Sequence, residues 1–289
     1  MKNYKITAII TLYYPDLNVR ENIINISKQV DRIFLCDNSQ FNNSTLFDRI
    51  DNVEYISNIK NFGTSKAFNL ILKENFFEEH EMVIFFDQDS DIKEGHIKKL
   101  VSEYNRLKKK GIKVGCIGPY VYNQSRKEIE LPRYKNSVSP NSYLVHTIIA
   151  SSMLCEFQII KSVNYWNEKI FLDLADWDFC WRINSIGYEC VLSNVSVLQH
   201  KVGEGDRSIG KIKIRNSSPF RSYYQIRDGL VLFHEKYIPL KYRFRYIGDV
   251  IYKHLMSILF LEDKAKRMKY FVWGIKDYLR NIEGALVCK

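Results

Sequence analysis

Over the first 120 residues, short apolar runs alternate with segments whose apolar residues recur at helical spacing, and this alternation limits what the chain can fold into. The runs YKITAIITLYY (4–14), RIFLCDNS, VEYISN, MVIFF and KVGCIGP have the length and β-branched or aromatic content of buried strands. Between them, Val19, Ile23, Ile26 and Val30 mark one helix, TSKAFNLILKENFF a second, and Ile97, Leu100, Val101, Tyr104 and Leu107 a third. The third ends in Lys108 to Lys110 and a Gly111 cap. Strands alternating with amphipathic helices predict βαβ units, hence an α/β chain with a mostly parallel, Rossmann-like central sheet flanked by helices. In such sheets a ligand sits beyond the carboxyl ends of the strands.

The 289 residues suit one large domain with an appendage, and 46 % hydrophobic with 26 % charged residues excludes a disordered or fibrous chain. Six cysteines, at 36, 116, 155, 180, 190 and 288, contain no C-x-x-C pair and are expected as buried thiols of a reducing compartment, with no disulfide or zinc framework. The N-terminal stretch lacks the features of a signal peptide, and no window reaches the ~18 apolar residues of a spanning helix. A cytoplasmic protein is therefore expected. The net charge of +10 points to anionic partners without choosing among them.

The alternation places three polar clusters on one rim. Asp37 and Asn38 follow the second strand, Asn61 and Gly63 follow the third, and Asp87, Gln88 and Asp89 follow MVIFF. Residues i and i+2 of an extended segment project to one side, so Asp87 and Asp89 can converge on one cation. Carboxylate oxygens suit hard divalent ions such as Mg²⁺ or Mn²⁺, which bridge to substrate phosphates. An isolated D-x-D is more often a solvated turn; the fully apolar strand before it and the second acidic cluster on the same rim favour the functional reading.

The segment FLDLADWDFCWRINSIGY (171–188) gathers Asp173, Asp176 and Asp178 at the start of an amphipathic helix. The helix dipole alone accounts for Asp178. It does not account for Asp173 or for Trp177 and Trp181, which suit the wall of a sugar pocket where a carboxylate acts as general base. His200 ends an apolar strand before Gly203 and Gly205; a structural imidazole and a ligand to metal or diphosphate are equally open readings.

Together these residues resemble family 2 glycosyltransferases of the GT-A fold, and within them the bacterial rhamnosyltransferase-like branch, over roughly residues 5 to 235. ITLYYPD resembles the family's first strand and turn, with Tyr14 where Asn is common, and NFGTSKAFN resembles N-x-G-x-x-x-A-x-N. CDNS and FFDQDS resemble the nucleotide and metal segments. The resemblance implies donor contacts at Asp37, Asn38, Asn61, Gly63, Asp87, Gln88 and Arg182, and metal ligation at Asp89 with His200. LDLADWDFCWR is similar to the segment bearing the catalytic base, which falls on Asp176, with Asp173 and Asp178 as fallbacks; Ala175 stands where the family often has Glu. HTIIASSMLCEF resembles the acceptor-side segment, so Ser151, Ser152, Asp173 and Trp177 are expected to meet the acceptor. SPFRSYYQIRDGL is similar to a segment ending in R-N, with Asp228 replacing Asn.

The implied activity is inverting, metal-dependent transfer of a sugar, foremost rhamnose from dTDP-rhamnose, with a UDP-sugar as the other donor, onto a lipid-linked or polysaccharide acceptor. Residues 1–235 would form the GT-A domain and 236–289 a basic helical extension. There Phe244, Ile247, Ile251, Leu255, Ile258 and Leu259 form one stripe flanked by Lys241, Arg243, Arg245 and Lys253. Such a stripe packs on its own domain, on a homodimer partner, or on an anionic membrane surface. The last makes the protein peripheral on the inner face of the cell membrane. A sugar-nucleotide pyrophosphorylase would carry a glycine-rich loop after the first strand, and TLYYPDLNVR has no glycine. A non-catalytic carbohydrate- or membrane-binding protein would not need all four of Asp37, Asp87, Asp89 and Asp176. No nucleic-acid module is recognisable, so nucleic acid is not an expected partner.

Overall fold

The structure, a computed structural model, describes residues 4–124, 127–131, 136–200, 206–209, 212–215 and 218–286, with the backbone alone for 200, 206–209 and 212–215. The expected alternation is present as β1 (Ile6–Leu12), α1 (Leu17–Ser27), β2 (Arg32–Asp37), β3 (Val53–Ser57), α2 (Gly63–Glu74), β4 (Met82–Asp87), α3 (His96–Lys109) and β5 (Val114–Asn123). There follow β6 (Glu128–Glu130), β7 (Asn136–Ser139), β8 (Ser142–Val145), β9 (Met153–Glu156), α4 (Phe157–Ser162), α5 (Ala175–Ser185) and β10 (Glu189–His200). The chain closes with β11 (Asp206–Ile209), β12 (Ile212–Arg215), α6 (Arg221–Phe233), α7 (Leu240–Phe260) and α8 (Lys264–Leu279). Asp16 caps α1 by accepting the Val19 N–H at 3.0 Å, and the helix stops at Ser27, short of the expected Val30.

The strands join in the order β3-β2-β1-β4-β9-β5-β10-β8-β7, with β6 on β5. β1 is parallel to both β2 and β4, so the chain leaves β1 toward β3 on one side and returns to β4 on the other. That reversal opens a crevice at the carboxyl ends of β1 and β4, where a ligand can enter an α/β sheet. Leu12 pairs with Asp37, Asp37 with Ser57, and Thr11 with Asp87, so the polar residues that follow these strands share one edge.

Both faces are covered, which is why the strands read as unbroken apolar runs. On one face Phe34, Phe85, Phe68 of α2, Trp166 and Phe179 of α5 pack together. On the other Ile10, Leu35, Ile84 and Phe86 meet Ile23 of α1 and Leu100 of α3. Each of the five residues Met82–Phe86 is fully buried, worth about 2 kcal/mol apiece for side chains of this size, and this anchors the turn that follows β4.

Five cysteines are free and buried, as expected, and the Sγ atoms of Cys116, Cys180 and Cys190, from β5, α5 and β10, lie within 4.8 Å of one another. Their wide spacing gave no sign of it, and Cys288 lies outside the described residues. Burial pushes the Cys116 and Cys155 thiols well up, which keeps them neutral. Among the described residues, most of the α7 stripe is left uncovered by its own domain. Val250, His254 and Ser257 are the buried face of α7, whereas Phe244, Ile251, Leu255 and Leu259 are 63, 43, 50 and 57 % exposed. Among the described residues no helix is long and apolar enough to cross a membrane.

Candidate active site

The turn after β4 is held from several sides. The Ser90 N–H donates to the Asp87 carbonyl at 3.1 Å, closing a tight turn with Asp87 half-buried and Asp89 exposed. Gln88, expected at the donor, behaves as a backbone mimic: its Oε1 accepts the Tyr13 N–H at 2.7 Å and its Nε2 donates to the Tyr13 carbonyl at 3.1 Å. It locks the loop after β1 onto the turn, so its amide is committed to the chain. Asp91 and Gln199 exchange backbone hydrogen bonds at 3.4 and 3.3 Å, which brings the end of β10 beside the turn. His200 is the next residue of that strand; its side chain lies outside the described residues.

Ser151 and Ser152 are placed differently from their expected acceptor role. β9 enters the sheet antiparallel to β4, so its start lies behind the turn, and both residues are at most 1 % exposed. The hydroxyls of Ser151 and Ser90 meet at 2.5 Å, and the Ser152 N–H donates to Phe85. Ser152 Oγ is 2.6 Å from Nε2 of His96, whose Nδ1 is 2.7 Å from Ser196 Oγ. Burial pushes His96 down to about 4, so this chain of contacts stays uncharged at neutral pH. The serines brace the turn from within the core.

At the end of β2, Asp37 is fully buried. One carboxylate oxygen accepts from the Ser39 N–H and hydroxyl at 2.8 and 2.5 Å, the other from Asn43 and the Tyr55 hydroxyl at 2.8 and 2.6 Å. A nucleobase contact here requires one of those donors to turn away. Asn38 donates to the Gly63 carbonyl at 3.2 Å and accepts from Asn58 at 3.0 Å, joining β2 to α2. Asn61 Oδ1 accepts the Gly63 N–H at 2.9 Å. Gly63 has φ +77° and a Cβ there would lie 2.4 Å from the Phe171 carbonyl oxygen, so only glycine allows α2 to approach the segment that precedes α5. Thr64 N–H then donates to that carbonyl at 3.0 Å. Asp228 of α6, standing where the resemblance leads one to expect Asn, accepts the Phe171 N–H at 2.9 Å from the other side.

The three aspartates at the start of α5 separate by their partners. Asp173 receives Arg221 at 2.7 and 3.2 Å and Gln225 at 3.0 Å, both from α6. Asp178 is fully buried, paired with Arg182 at 2.7 and 2.8 Å and with the Tyr237 hydroxyl at 2.5 Å. Arg182 also donates to the carbonyls of Val163 and Tyr165 at 2.5 Å, so it ties α5 to the preceding loop in place of the expected donor contact. Asp176 pairs with no cation among the described residues and accepts its own helix's Trp177 N–H at 2.8 Å. Loss of solvation, with the Asp87 carboxylate adding to it, pushes the Asp176 carboxyl up to about 8. Of the three, Asp176 is the one poised to exchange a proton near neutral pH. That charge coupling also puts it within electrostatic reach of the turn after β4.

The sequence reading missed a set of residues that α7 brings to this place. Trp177 and Trp181 of α5, His146, and Tyr242, Arg243, Arg245, Tyr246 and Asp249 of α7 border a cavity of about 260 Å³ beside the start of α5. Tyr246 meets Trp177 edge-on at 5.8 Å, and a Cβ on Gly229 would lie 2.5 Å from its ring, so α6 carries a glycine where Tyr246 enters. The only signal in the sequence was the aromatic richness of the tail, which does not reveal the packing partner.

No family model matches the chain. The dTDP-rhamnosyl transferase RfbF of Shigella flexneri is 26 % identical over 296 residues, covering 98 % of both chains. Among solved structures, GalNAc-T7 with UDP, GalNAc and Mn²⁺ superposes with TM-score 0.55 at 13 % identity, over 88 % of this chain and 56 % of that one. Staphylococcus aureus TarS superposes with TM-score 0.60 at 12 % identity, over 96 % and 49 %. The chain has the GT-A fold of these glycosyltransferases and is similar over its whole length to a rhamnosyltransferase. It spans about half the length of the two solved structures, which it resembles in fold.

Proposed function

We propose that the transferase moves rhamnose from dTDP-rhamnose, with inversion, onto a hydroxyl of a lipid-linked or polysaccharide precursor of the cell envelope. The observation that carries this is Asp176. Among the described residues it is the one aspartate of the α5 cluster without a cationic partner, its carboxyl is raised to about 8, and it lies within electrostatic reach of Asp87. In a single displacement Asp176 accepts the proton of the acceptor hydroxyl while that oxygen bonds to the anomeric carbon. The bond from that carbon to the diphosphate breaks on the opposite side, and dTDP leaves with the electron pair. No covalent enzyme intermediate forms.

The residues present fit a divalent cation. Asp87 and Asp89 offer hard oxygen donors two positions apart on a braced turn, and the end of β10 adjoins them. Asp89, with Asp87 on the nucleotide side and His200, which follows Gln199 at the end of β10, would hold it. When bound, Mg²⁺ or Mn²⁺ neutralises the diphosphate and makes it a better leaving group. RfbF, by its name, uses dTDP-rhamnose, and this supports rhamnose as the sugar. A UDP-sugar is the second reading, since the GalNAc-T7 structure holds UDP. The exposed α7 stripe beside Lys241, Arg245 and Lys253 supports a peripheral position on an anionic inner membrane face, with homodimer contact as the alternative.

The test is thermal unfolding of the full chain with dTDP-rhamnose, UDP-glucose and UDP-N-acetylglucosamine, each with Mn²⁺ and again with chelator. A ligand at 100 times its Kd stabilises by about 2.7 kcal/mol. A rise in Tm with dTDP-rhamnose that chelator abolishes is expected. A rise with a UDP-sugar alone transfers the proposal to that donor, and no rise with any sugar nucleotide defeats it.

A further inference from the structure

Cys116 of β5 and Cys190 of β10 are register partners on adjacent parallel strands, and Cys180 reaches them from α5, within the core on one face of the sheet. All three are fully buried, and their Sγ atoms lie within 4.8 Å of one another. A buried free cysteine usually serves as a small apolar side chain. Three drawn from separate elements, with their sulfurs turned to a common point, form a donor set. Two of these sulfurs also accept N–H bonds. The Ile148 N–H points to Cys180 Sγ at 3.5 Å, and the Asn184 side-chain amide to Cys190 Sγ at 3.7 Å. Outer hydrogen bonds of this kind orient a metal ligand and offset the negative charge of a thiolate.

The donor set selects the ion. Thiolates are soft ligands and favour Cu⁺ or Zn²⁺ over the hard Mg²⁺ and Mn²⁺. A closed zinc site takes four ligands. Here no histidine or carboxylate joins the three sulfurs among the described residues, and full burial leaves no open side for a water ligand. Cys155, the Cα partner of Cys116 on β9, stays outside the group and donates its S–H to the Gly115 carbonyl at 3.0 Å. Three sulfurs without a fourth ligand suit the trigonal coordination open to Cu⁺. Sulfurs ~2.3 Å from a central ion lie ~4 Å apart, so closing on it needs shifts of about half an ångström. The cavity beside α5 is bordered by Thr147 and Trp181, the chain neighbours of Ile148 and Cys180, and this is the side from which an ion approaches.

We propose that Cys116, Cys180 and Cys190 form a three-sulfur site for Cu⁺, separate from the turn after β4. Each Cu–S bond that replaces an S–H releases one proton to solvent. Copper stays in the +1 state throughout, so no oxidant or reductant is required. The bound ion joins β5, α5 and β10. Cys180 lies one helical turn after Asp176 on α5, so the ion holds against the sheet the helix that carries that aspartate.

The test supplies the full chain with Cu⁺ as its coloured bicinchoninate complex, without oxygen, and follows the loss of colour as protein takes the metal. Transfer of one copper per chain is expected, with X-ray absorption showing three sulfur neighbours at ~2.3 Å. Cys116→Ala, Cys180→Ala and Cys190→Ala should each weaken retention about tenfold or more, while Cys36→Ala, Cys155→Ala and Cys288→Ala hold copper as wild type does. Far-UV spectra separate a variant that has lost the site from one that has lost its fold, and the X-ray absorption of the wild type needs no variant. Failure of the wild type to take copper from bicinchoninate overturns the site. So do nitrogen or oxygen neighbours at the copper, or retention that survives all three cluster variants and falls only with Cys288→Ala. Zinc held by four sulfurs, with Cys155 as the fourth, overturns the three-coordinate reading and with it the choice of ion.

Discussion

Replacing Asp176 by Asn tests the assignment of the base most directly, because the change is nearly isosteric and keeps an oxygen that can accept the Trp177 N–H at 2.8 Å. Only the ability to take a proton is lost. General base catalysis contributes typically ~10²–10⁴ in rate, so kcat should fall by about that factor with the dTDP-rhamnose Kd unchanged. Stability provides an independent reading. The Asp176 carboxyl is raised to about 8 from an ordinary value of 3.8, so the folded state favours its protonated form. The stabilisation this gives is complete below the ordinary value and is lost as pH rises through 8. Each pKa unit corresponds to ~1.4 kcal/mol, and for a half-buried group a loss on the order of a few kcal/mol is expected between pH 4 and 8. The Asn variant has no such titration. Its Tm should therefore draw ahead of wild type across that window and hold a constant lead above it. In the free wild-type enzyme half of Asp176 is in the basic form at pH ~8, so kcat/KM should rise through pH ~8 and level off about a unit above it. Turnover in the Asn variant within threefold of wild type, with no pH-dependent divergence in Tm, would refute the assignment and return attention to Asp173 and Asp178.

Three further outcomes follow from the same geometry. Gly63→Ala meets both the positive φ and a carbonyl at 2.4 Å; urea denaturation should show a loss of ~1–3 kcal/mol or more, with a raised donor KM as α2 withdraws from the rim. Asp178→Asn breaks a buried ion pair with Arg182 and should cost about 3 kcal/mol of stability while sparing kcat at temperatures where the variant stays folded, the reverse of the Asp176 pattern. Ile251→Glu with Leu255→Glu, both on the exposed stripe of α7, should leave the far-UV spectrum intact; sedimentation should show lost binding to vesicles rich in phosphatidylglycerol, whereas a change in oligomeric state instead would assign the stripe to a dimer.

Much of the frame was legible in the chain itself. A strand buried on both faces must be apolar throughout, and a helix lying on a sheet must repeat every three to four residues, so the alternation up to β5 announced a parallel sheet with one functional edge. The same logic located the turn after β4 and the placement of Asp37, Asn61 and Gly63, because the residue after the last buried strand position must emerge at the rim. Side-chain roles were less legible. Gln88 and Arg182 carry the polar groups that a donor site needs, yet one is used by the Tyr13 backbone and the other by Asp178 and two carbonyls.

What sequence determined, then, is which segments are strands and helices and which polar residues reach a common edge, since those depend on local periodicity. What only the tertiary structure decided is which of those residues remain free for chemistry. Asp173 is neutralised by Arg221, 48 residues away, and Asp178 is held by Tyr237, 59 residues away, leaving Asp176 as the carboxylate of this cluster without a cation among the described residues. Ser151 and Ser152 are buried because β9 inserts antiparallel between β4 and β5. Tyr246 reaches Trp177 only because α7 folds back over α5 and α6. Periodicity records the face on which a side chain lies; the partner it meets there comes from a distant part of the chain, and no local pattern encodes that meeting.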